Sequence, residues 1–415
     1  MNGDCAQDGS VIMDADKTCT ATFVLNTAGI DGADIGGSIS ITEGGATGTY
    51  DFKLSTQPTG DVEIIVTADT QTEVSKDGGT NFNNTVILTF TNDDWNTAQT
   101  ITVQSIDDSS AEGSHSSTIT HAITGTVNDA NYPLTLALDN VTVNITDNDS
   151  SGVTVNPTTL TVSEPNSNAT FTITLNTLPT ADVAIASVAA SNGQCSVSPT
   201  STTITKTNWN TGTIFTVMAQ DDNNVDGNQT CTVQISPSTS TDGNYNNLKL
   251  TDVTVTVQDD DTAGIDGAEI GGSISLIEGG ATGTYDIWLS SQPTGDVEIT
   301  VTADAQTKIS SDSTTFSNTV TLTFTNDNWN TAQTVTVQSI DDSDIEDSHS
   351  GTITHAITGT INDANYPDTL SLGNVTVNIT ENEVVSQIDL SEEIALECQG
   401  CAIKSAALIA IESLP

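Results

Sequence analysis

The sequence predicts an all-β protein composed of tandem antiparallel β-sandwich domains in an elongated array. Three observations predict this fold: a long internal repeat, apolar residues that alternate with polar ones, and turns rich in Gly, Asn and Asp. The alternation is clear from Thr100 to Gln104 and from Val141 to Thr146, and its period of two is that of a half-buried β-strand. About seven such runs occur in each repeat, a number typical of an immunoglobulin-like sandwich.

The internal repeat divides the chain into five segments. AGIDGADIGGSIS at the start of one copy returns as AGIDGAEIGGSIS in another, and a diverged copy between them keeps the same order of motifs. A repeat of this length indicates whole domains rather than a solenoid of short units. We predict a partial β-hairpin of a preceding immunoglobulin-like domain in 1–27, repeat 1 in 28–149, repeat 2 in 150–261, repeat 3 in 262–383 and a C-terminal tail in 384–415.

The charge of the chain excludes two classes of partner. Its 55 acidic residues face 7 basic ones, for a formal net charge of −48. Such a surface repels nucleic acid and anionic lipid, so neither is expected to bind. No apolar run approaches the roughly 18 residues of a transmembrane helix, and the residues after Met1 lack the features of a signal peptide. We therefore expect a mature form or an excised piece.

The six cysteines fall into three local pairs, Cys5 with Cys19, Cys195 with Cys231 and Cys398 with Cys401. Even, local pairing in an acidic β-rich chain favours disulfides formed in an oxidising compartment. A structural zinc site needs about four ligands, and no pair has two further partners nearby. The cysteines therefore predict an extracellular protein, either at the cell surface or in a secreted matrix.

Acidic residues recur at three places in every repeat. A Glu ends the first strand, an acid pair with a third acid soon after it follows a central strand, and further acids close the last strand. The first set is Glu43, Glu164 and Glu278; the second is Asp107, Asp108, Glu112, Asp221, Asp222, Asp226, Asp341, Asp342 and Glu346; the third is Asp147, Asp149, Asp259, Asp260, Asp261, Glu381 and Glu383. In a sandwich these places can meet at one pole, where the carboxylates repel unless a cation lies among them. Oxygen ligands at this density select Ca2+, which takes about 6–8 of them, over magnesium.

Together with the segment VQDDDTAGI, these motifs resemble those of Calx-beta domains, which are calcium-binding sandwiches. The resemblance covers residues 28–383, because all three motifs occur in order in all three copies. It implies that the acids line calcium sites at the end of each domain, facing the next, and it adds Asp69 and Asp304 as the nearest matches to a further ligand. Repeat 2 has no acid at that place and has Asp226 where the others have Glu, and repeat 3 ends in Glu-Asn-Glu. These departures bear on the calcium affinity of repeats 2 and 3.

The alternative explanation is that the acids are solvated turn residues, since Asp is common in turns. Their register across three repeats favours metal ligation over that explanation. Four acids outside the register are interpreted as solvating residues: Asp31, Asp34, Asp61 and Asp129.

Histidine and tryptophan also recur with the repeat. His115 and His121 return as His349 and His355. Six residues apart on a strand, the two side chains lie about 20 Å apart, too far to bind one metal ion, so exposed or rim positions are expected. Trp95, Trp209 and Trp329 each precede one strand, and we expect them to plug the core.

Function is predicted from what the motifs offer. The chain has no nucleophile motif and no H-E-x-x-H sequence, and no enzymatic activity is expected. The leading hypothesis is a calcium-stabilised extracellular stalk, adhesin or filament subunit. The alternative is a carbohydrate- or receptor-binding module of a cell-surface protein, which needs an exposed aromatic cluster and has only Trp288 as an indication. A calcium sensor is the third hypothesis, and it needs a membrane partner.

The expected partners are neighbouring repeats or subunits, including a homopolymer, while the sequence identifies no adhesion ligand. Residues 1–27 supply only a strand pair, and an unpaired sheet edge invites pairing with another chain. The tail has apolar residues without a core of their own: Ile388, Leu390, Ile394, Leu396, Ile403, Leu408, Ile409 and Ile411. Either the tail completes a neighbour's hairpin by strand donation, or both ends are cut from a longer protein.

Overall fold

The computed structural model describes residues 2–3, 19–20, 27–125, 129–344, 346–359 and 363–382. The chain forms two compact units. Unit 1, which holds repeat 1 and most of repeat 2, comprises Met1–Val162, Ser167–Gln220 and Thr230–Val257. Unit 2, which holds repeat 3 and the acidic loops of repeat 2, comprises Ser163–Asn166, Asp221–Gln229 and Gln258–Pro415.

The N-terminal segment contributes two short strands, β1 (Asn2–Gly3) and β2 (Cys19–Thr20), which pair antiparallel. The other residues of 1–26 and the tail 384–415 lie outside the described residues. The predictions on Cys5, on the Cys398–Cys401 pair and on strand donation by the tail therefore remain predictions.

Repeat 1 folds into two β-sheets. Its strands are β3 (Ile30–Asp31), β4 (Ser38–Thr42), β5 (Gly48–Leu54), β6 (Val62–Thr67), β7 (Thr72–Ser75), β8 (Thr85–Phe90), β9 (Gln99–Ser105), β10 (His115–Thr124) and β11 (Val141–Thr146). One sheet has the order β4-β11-β10-β6-β8 and the other has the order β3-β5-β9-β7. The strands alternate between buried and exposed residues, as in β11, because successive side chains point to opposite faces of a sheet.

The buried faces of both sheets form one hydrophobic core. Phe52 of β5 and Phe90 of β8 are 1% and 0% exposed, and their ring centroids lie 5.7 Å apart. Burial of such a side chain contributes about 1.5–3 kcal/mol. A polar contact lies within the core as well, because the hydroxyl of Tyr50 is 2.9 Å from Nε2 of His121 on β10.

Repeat 2 has the same plan with more divided sheets. Its strands are β12 (Val153–Asn156), β13 (Thr159–Ser163), β14 (Asn168–Leu175), β15 (Val183–Ile185), β16 (Val188–Ala190), β17 (Cys195–Ser198), β18 (Thr202–Ile204), β19 (Thr213–Ala219), β20 (Gln229–Ile235), β21 (Ser238–Thr239) and β22 (Val253–Gln258), with a 3-10 turn at Gly243–Tyr245. The sheets have the orders β12-β14-β19-β17, β13-β22-β20-β16 and β18-β15-β21. The disulfide between Cys195 and Cys231 lies in this core, with Cα atoms 6.0 Å apart, and confirms the predicted pair.

Repeat 3 reproduces repeat 1 almost strand for strand. Its strands are β23 (Ile265–Asp266), β24 (Ser273–Ile277), β25 (Gly283–Leu289), β26 (Val297–Ala303), β27 (Thr307–Ser310), β28 (Thr319–Phe324), β29 (Gln333–Ser339), β30 (His349–Ile357) and β31 (Val375–Thr380). The two sheets have the orders β24-β31-β30-β26-β28 and β23-β25-β29-β27. Tyr285 and His355 form the same buried contact as their counterparts in repeat 1, at 2.9 Å.

The predicted fold class of tandem immunoglobulin-like β-sandwiches is confirmed, with one difference in pairing. The first long strand of repeats 1 and 3 runs parallel, not antiparallel, to the last strand: β4 pairs parallel with β11 and β24 pairs parallel with β31. Parallel pairing brings the C-terminal ends of both strands to the same end of the sandwich. This end carries the acidic motifs.

The prediction for two of the histidines was wrong. His121 and His355 are 5% and 6% exposed and lie in the cores, whereas His115 and His349 are half-buried at strand ends. Burial lowers the pKa of His121, although a hydrogen bond with the carbonyl of Asp139 raises it. The core therefore holds this imidazole in its neutral form.

The recurring tryptophans pack against the cores without being fully buried. Trp95, Trp209 and Trp329 are each half-buried beside the hydrophobic cluster of their own repeat. They cover the edge of the core and do not fill its centre. Within the described part of the chain, no helix is long and apolar enough to cross a bilayer.

Candidate metal site at the acidic end of each repeat

The acidic site of repeat 1 begins at the parallel pair of strands. Glu43 follows β4, and its backbone N–H donates to the carbonyl of Thr146 at the end of β11, at 3.0 Å. The last strand therefore delivers Asp147 and Asp149 beside Glu43. The side chain of Glu43 is 3% exposed, an unusual degree of burial for a carboxylate.

The loop after β9 closes the site from the other sheet. The backbone N–H of Asp108 donates to Oε1 of Glu43 at 2.9 Å. Gly44 makes this approach possible, since its φ is +61° and a Cβ there would lie 2.5 Å from Oδ1 of Asp107. Only glycine combines a left-handed backbone with the absence of a side chain.

Asp147 organises the loops around the site. Its Oδ2 accepts hydrogen bonds from the backbone N–H groups of Glu112 and Gly113, both at 2.7 Å, and its Oδ1 accepts one from Asp149 at 2.8 Å. Burial raises the pKa of Asp147, but these hydrogen bonds outweigh it and the pKa is lowered. Asp147 is thus a stable anion with satisfied oxygens.

Two other carboxylate oxygens in repeat 1 are buried without a hydrogen-bond partner among the described residues. They are Oε2 of Glu43 and Oδ2 of Asp149. One oxygen from each of Glu43, Asp108 and Asp149 lies within 4.8 Å of the others. Burial, followed by the charges of neighbouring carboxylates, raises the pKa of both Glu43 and Asp149. Since a buried polar atom without a partner is costly, these oxygens are suited to bind a cation.

Repeat 2 brings the same positions together within unit 2. Oxygens of Glu164, Asp259 and Asp261 lie within 4.8 Å of one another. Asp259 takes the place of Asp147, because it accepts hydrogen bonds from the N–H groups of Gly227 and Asp261 at 2.7 and 2.8 Å. Burial and the nearby acids raise the pKa of Glu164 to about 7 and that of Asp261 to about 6, and Oδ2 of Asp261 is buried without a partner among the described residues.

Repeat 3 shows the site in part. Glu278 is 3% exposed, its Oε1 accepts from the N–H of Asp342 at 3.1 Å, and its Oε2 is buried without a partner among the described residues. Glu381 accepts from the N–H of Glu346 at 2.9 Å, as Asp147 does from Glu112. Burial raises the pKa of Glu278; the hydrogen bond from the N–H of Asp342 opposes this rise, and the neighbouring carboxylate of Glu381 adds to it. Glu383, predicted as the counterpart of Asp149, lies outside the described residues.

The remaining predicted ligands lie around these groups. Glu112 is exposed, and its Oε2 accepts from Nε2 of Gln71 at 3.0 Å. Asp107 and Asp341 accept from the Nδ2 atoms of Asn148 and Asn382 at 3.0 and 3.2 Å. Asp221, Asp226, Asp260 and Glu346 are exposed, and Asp222 is half-buried.

Asp69 and Asp304 follow β6 and β26 and anchor a loop to the neighbouring strand. Asp69 accepts from the hydroxyl of Ser117 at 2.6 Å and from the N–H of Thr118 at 3.0 Å, and Asp304 accepts from the N–H of Thr352 at 2.6 Å. Neither belongs to a group of three carboxylates within 4.8 Å in the described residues.

Three buried aspartates have a role that sequence reasoning missed. Asp129, interpreted as a solvating residue, is 4% exposed, and Asp242 and Asp363 occupy the same position in the other repeats at 6% and 5%. Each accepts hydrogen bonds from two loops at the end of its sandwich, as Asp129 does from the N–H groups of Thr59 and Asn131. The signal was present in the sequence, since Asp-x-Asn-Tyr occurs once in every repeat.

Comparison with protein-family models and with curated proteins finds no match. The fold is that of tandem sandwiches. The solved structures that match the chain include CBD12 from CALX1.2, with 12% identity and a TM-score of 0.27, covering 55% of this chain and 99% of that one. A titin I-band fragment, I67-I69, has 11% identity and a TM-score of 0.20, covering 83% and 96%. A putative membrane anchored protein from Corynebacterium diphtheriae has 12% identity and a TM-score of 0.17, covering 86% and 92%. Similarities at this level assign no function.

Proposed function

We propose that the acidic end of each repeat binds calcium and that the chain is an extracellular, calcium-stabilised structural protein, a stalk, adhesin or filament subunit of Calx-beta-like repeats. The observation that carries the proposal is the pair of buried oxygens, Oε2 of Glu43 and Oδ2 of Asp149, that have no hydrogen-bond partner among the described residues. Each of the other two repeats has one such oxygen among the described residues, Oδ2 of Asp261 in repeat 2 and Oε2 of Glu278 in repeat 3.

A cation explains what hydrogen bonding leaves unexplained. Carboxylates held this close repel each other, and removing them from water adds a further cost, which a bound ion offsets. The donor set consists of oxygen alone, which suits the hard cations Ca2+ and Mg2+. Calcium fits better, because it accepts many carboxylates in irregular geometry, whereas magnesium demands a near-ideal octahedron and keeps its waters. Glu43, Asp108 and Asp149 would hold the ion in repeat 1.

Two further features support an extracellular structural role. The Cys195–Cys231 disulfide is typical of proteins from oxidising compartments. The charge of −48 keeps such a chain soluble and resistant to non-specific association. The proposed role is structural and not enzymatic, with calcium as a stabilising ligand.

The competing hypothesis of a carbohydrate- or receptor-binding module rests on Trp288. This side chain is half-buried against the core of repeat 3. Its exposed surface is therefore smaller than an aromatic binding platform requires, and no observation favours this function.

Isothermal titration of the metal-free chain with calcium tests the proposal. We expect saturable binding, and in Glu43→Gln the loss of the binding event that belongs to repeat 1. Asp61→Asn is the matched control, since it removes an exposed negative charge of the same repeat outside the site. Absence of calcium binding, or equal binding by both variants and the native chain, contradicts the proposal.

A further inference from the structure

The same pair of hydrogen bonds links consecutive repeats twice in the chain. In unit 1, the backbone N–H of Leu178 donates to the carbonyl of Ser109 at 2.7 Å, and Nδ2 of Asn244 donates to the carbonyl of Ala111 at 2.9 Å. The acceptors belong to the loop that follows the acid pair of repeat 1. We call this loop the acceptor loop, because its carbonyls accept both hydrogen bonds.

Unit 2 contains the equivalent contacts at the next junction. The N–H of Gln292 donates to the carbonyl of Asn223 at 2.7 Å, and Nδ2 of Asn365 donates to the carbonyl of Val225 at 2.7 Å. Each residue occupies the position of its counterpart, since Gln292 and Leu178 both precede Pro-Thr and the asparagines both precede Tyr. The same type of interface thus forms at two junctions, between repeats 1 and 2 and between repeats 2 and 3.

The surface that receives the acceptor loop is held together by a buried aspartate. Asp242 accepts from the N–H of Thr180 at 2.7 Å and from that of Asn244 at 3.0 Å. Asp363 accepts in the same way from Thr294 at 2.6 Å and from Asn365 at 2.9 Å. The aspartate therefore fixes both hydrogen-bond donors of this surface, which we call the receiving face.

Repeat 1 has a receiving face of the same construction. Asp129 accepts from the N–H groups of Thr59 and Asn131, and the hydroxyl of the following residue, Tyr132, donates to the carbonyl of Thr56 at 2.8 Å, as that of Tyr366 does to Ser291. Gln57 and Asn131, at the two donor positions, are both exposed. Among the described residues, neither the backbone N–H of Gln57 nor Nδ2 of Asn131 has an acceptor. The face is therefore formed, and within the described part of the chain its two donors are unpaired.

An exposed apolar residue distinguishes this face from the other two. Leu134, three residues after Asn131, is 64% exposed. The same position is occupied by Asn247 in repeat 2 and by Asp368 in repeat 3. A large exposed apolar side chain beside unpaired donors is typical of a surface that binds protein.

Repeat 3 carries the corresponding acceptor loop. The N–H of Asp344 donates to Oδ1 of Asp342 at 2.8 Å, which matches the bond between Asn224 and Asp222, also at 2.8 Å. Ser343, at the position of Ser109, is exposed. The position of Ala111 is occupied by Ile345, which lies outside the described residues.

We propose that the receiving face of repeat 1 binds the repeat 3 acceptor loop of a second copy of this chain. The interface is head-to-tail, so each added copy presents a further receiving face and growth does not close on itself by a two-fold axis. The inference rests on the repeated hydrogen bonds and goes beyond calcium binding.

Sedimentation equilibrium of the full chain over a series of rising concentrations tests this inference. We expect reversible association of the native chain. Asn131→Asp weakens the association constant about tenfold, because it replaces the amide donor by a carboxylate, which cannot donate to a carbonyl oxygen. Asn244→Asp is the matched control, since it makes the same change at the junction inside the chain and leaves association between copies unchanged. Circular dichroism shows whether both variants fold.

A mixing experiment identifies the two surfaces. Asn131→Asp retains its acceptor loop, so it binds native chains and then blocks further growth, and its addition reduces the mean oligomer mass. Addition of Asn244→Asp does not. Association that Asn131→Asp leaves unchanged, or a native chain that stays monomeric with and without calcium, overturns the proposal. Association in chelator that requires Asn131 supports it even if calcium binding fails.

Discussion

Substitution of Glu43 by Gln has opposite effects on stability with and without calcium. The substitution keeps the shape of the side chain and its Oε1, which accepts from the N–H of Asp108. It replaces Oε2, which is buried without a partner among the described residues, by an NH2 group. The NH2 group carries no charge, so the substitution removes the repulsion between this side chain and the carboxylate of Asp149.

The magnitude follows from the distances in the site. Oxygens of Glu43 and Asp149 lie within 4.8 Å, and two unit charges at that separation repel by about 3.5 kcal/mol at an effective dielectric constant of about 20. Partial exposure of Asp149 and counterions reduce this value, so in chelator we expect Glu43→Gln to raise the free energy of unfolding by about 1–3 kcal/mol. In calcium the native site gains about 2.7 kcal/mol at a hundredfold excess of ion over Kd, and the variant loses this gain.

Thermal unfolding followed by circular dichroism, in chelator and in calcium, measures both effects. A change of 1 kcal/mol corresponds to a shift of about 4 °C in the Tm of a domain of this size. Asp61→Asn, at an exposed position, serves as the control and is expected to shift Tm little in either condition. A Glu43→Gln variant that is destabilised equally in chelator and in calcium refutes the assignment of Glu43 as a metal ligand.

Three further predictions concern other parts of the chain. In chelator, the free energy of unfolding of repeat 2 falls as pH rises from about 5 to 7.5. The pKa values of Glu164, about 7, and Asp261, about 6, are raised in the folded form, which therefore holds protons that the unfolded chain has lost. Urea titrations that show rising stability across this pH range contradict the prediction. Replacement of both Cys195 and Cys231 by Ala lowers the free energy of unfolding by about 4 kcal/mol, the chain entropy of a loop of 36 residues, and urea denaturation of repeat 2 with an unchanged midpoint would contradict this. Gly44→Ala destabilises repeat 1 by about 1–3 kcal/mol, because alanine at φ +61° is strained and its Cβ meets a carboxylate; an unchanged Tm would show that the loop relaxes.

The convergence of the acidic motifs could be predicted from the sequence because the motifs occur at the same places in all three repeats. Glu43, Asp108 and Asp149 are far apart in the chain, yet each has a counterpart at the same place in the other repeats. The parallel pairing of β4 and β11, which brings two of them together, could not be predicted, because hydrophobic alternation gives the faces of a strand and not its neighbours.

Burial of polar residues was the harder property to predict. His121 shares its strand face with Ile119 and Ile123, both buried, so the alternation along the strand already placed His121 on the buried face. The prediction of an exposed side chain followed the polarity of histidine and was wrong, because the hydrogen bond between the hydroxyl of Tyr50 and Nε2 of His121 offsets the cost of burial. Asp129 was missed for a related reason, because one of its hydrogen-bond donors, the N–H of Thr59, lies in a loop about 70 residues earlier in the chain.

The loops that supply the acceptors at the junctions between repeats place few demands on side-chain identity. These acceptors are backbone carbonyls, so Ser109 and Ala111 in one acceptor loop can be Asn223 and Val225 in the next, with hydrogen bonds of nearly the same length. A mutation in such a loop leaves the carbonyl in place. Duplication, loss or exchange of a whole repeat therefore preserves the hydrogen bonds of the junction. The number of repeats can change during evolution without new substitutions in the surfaces that join them.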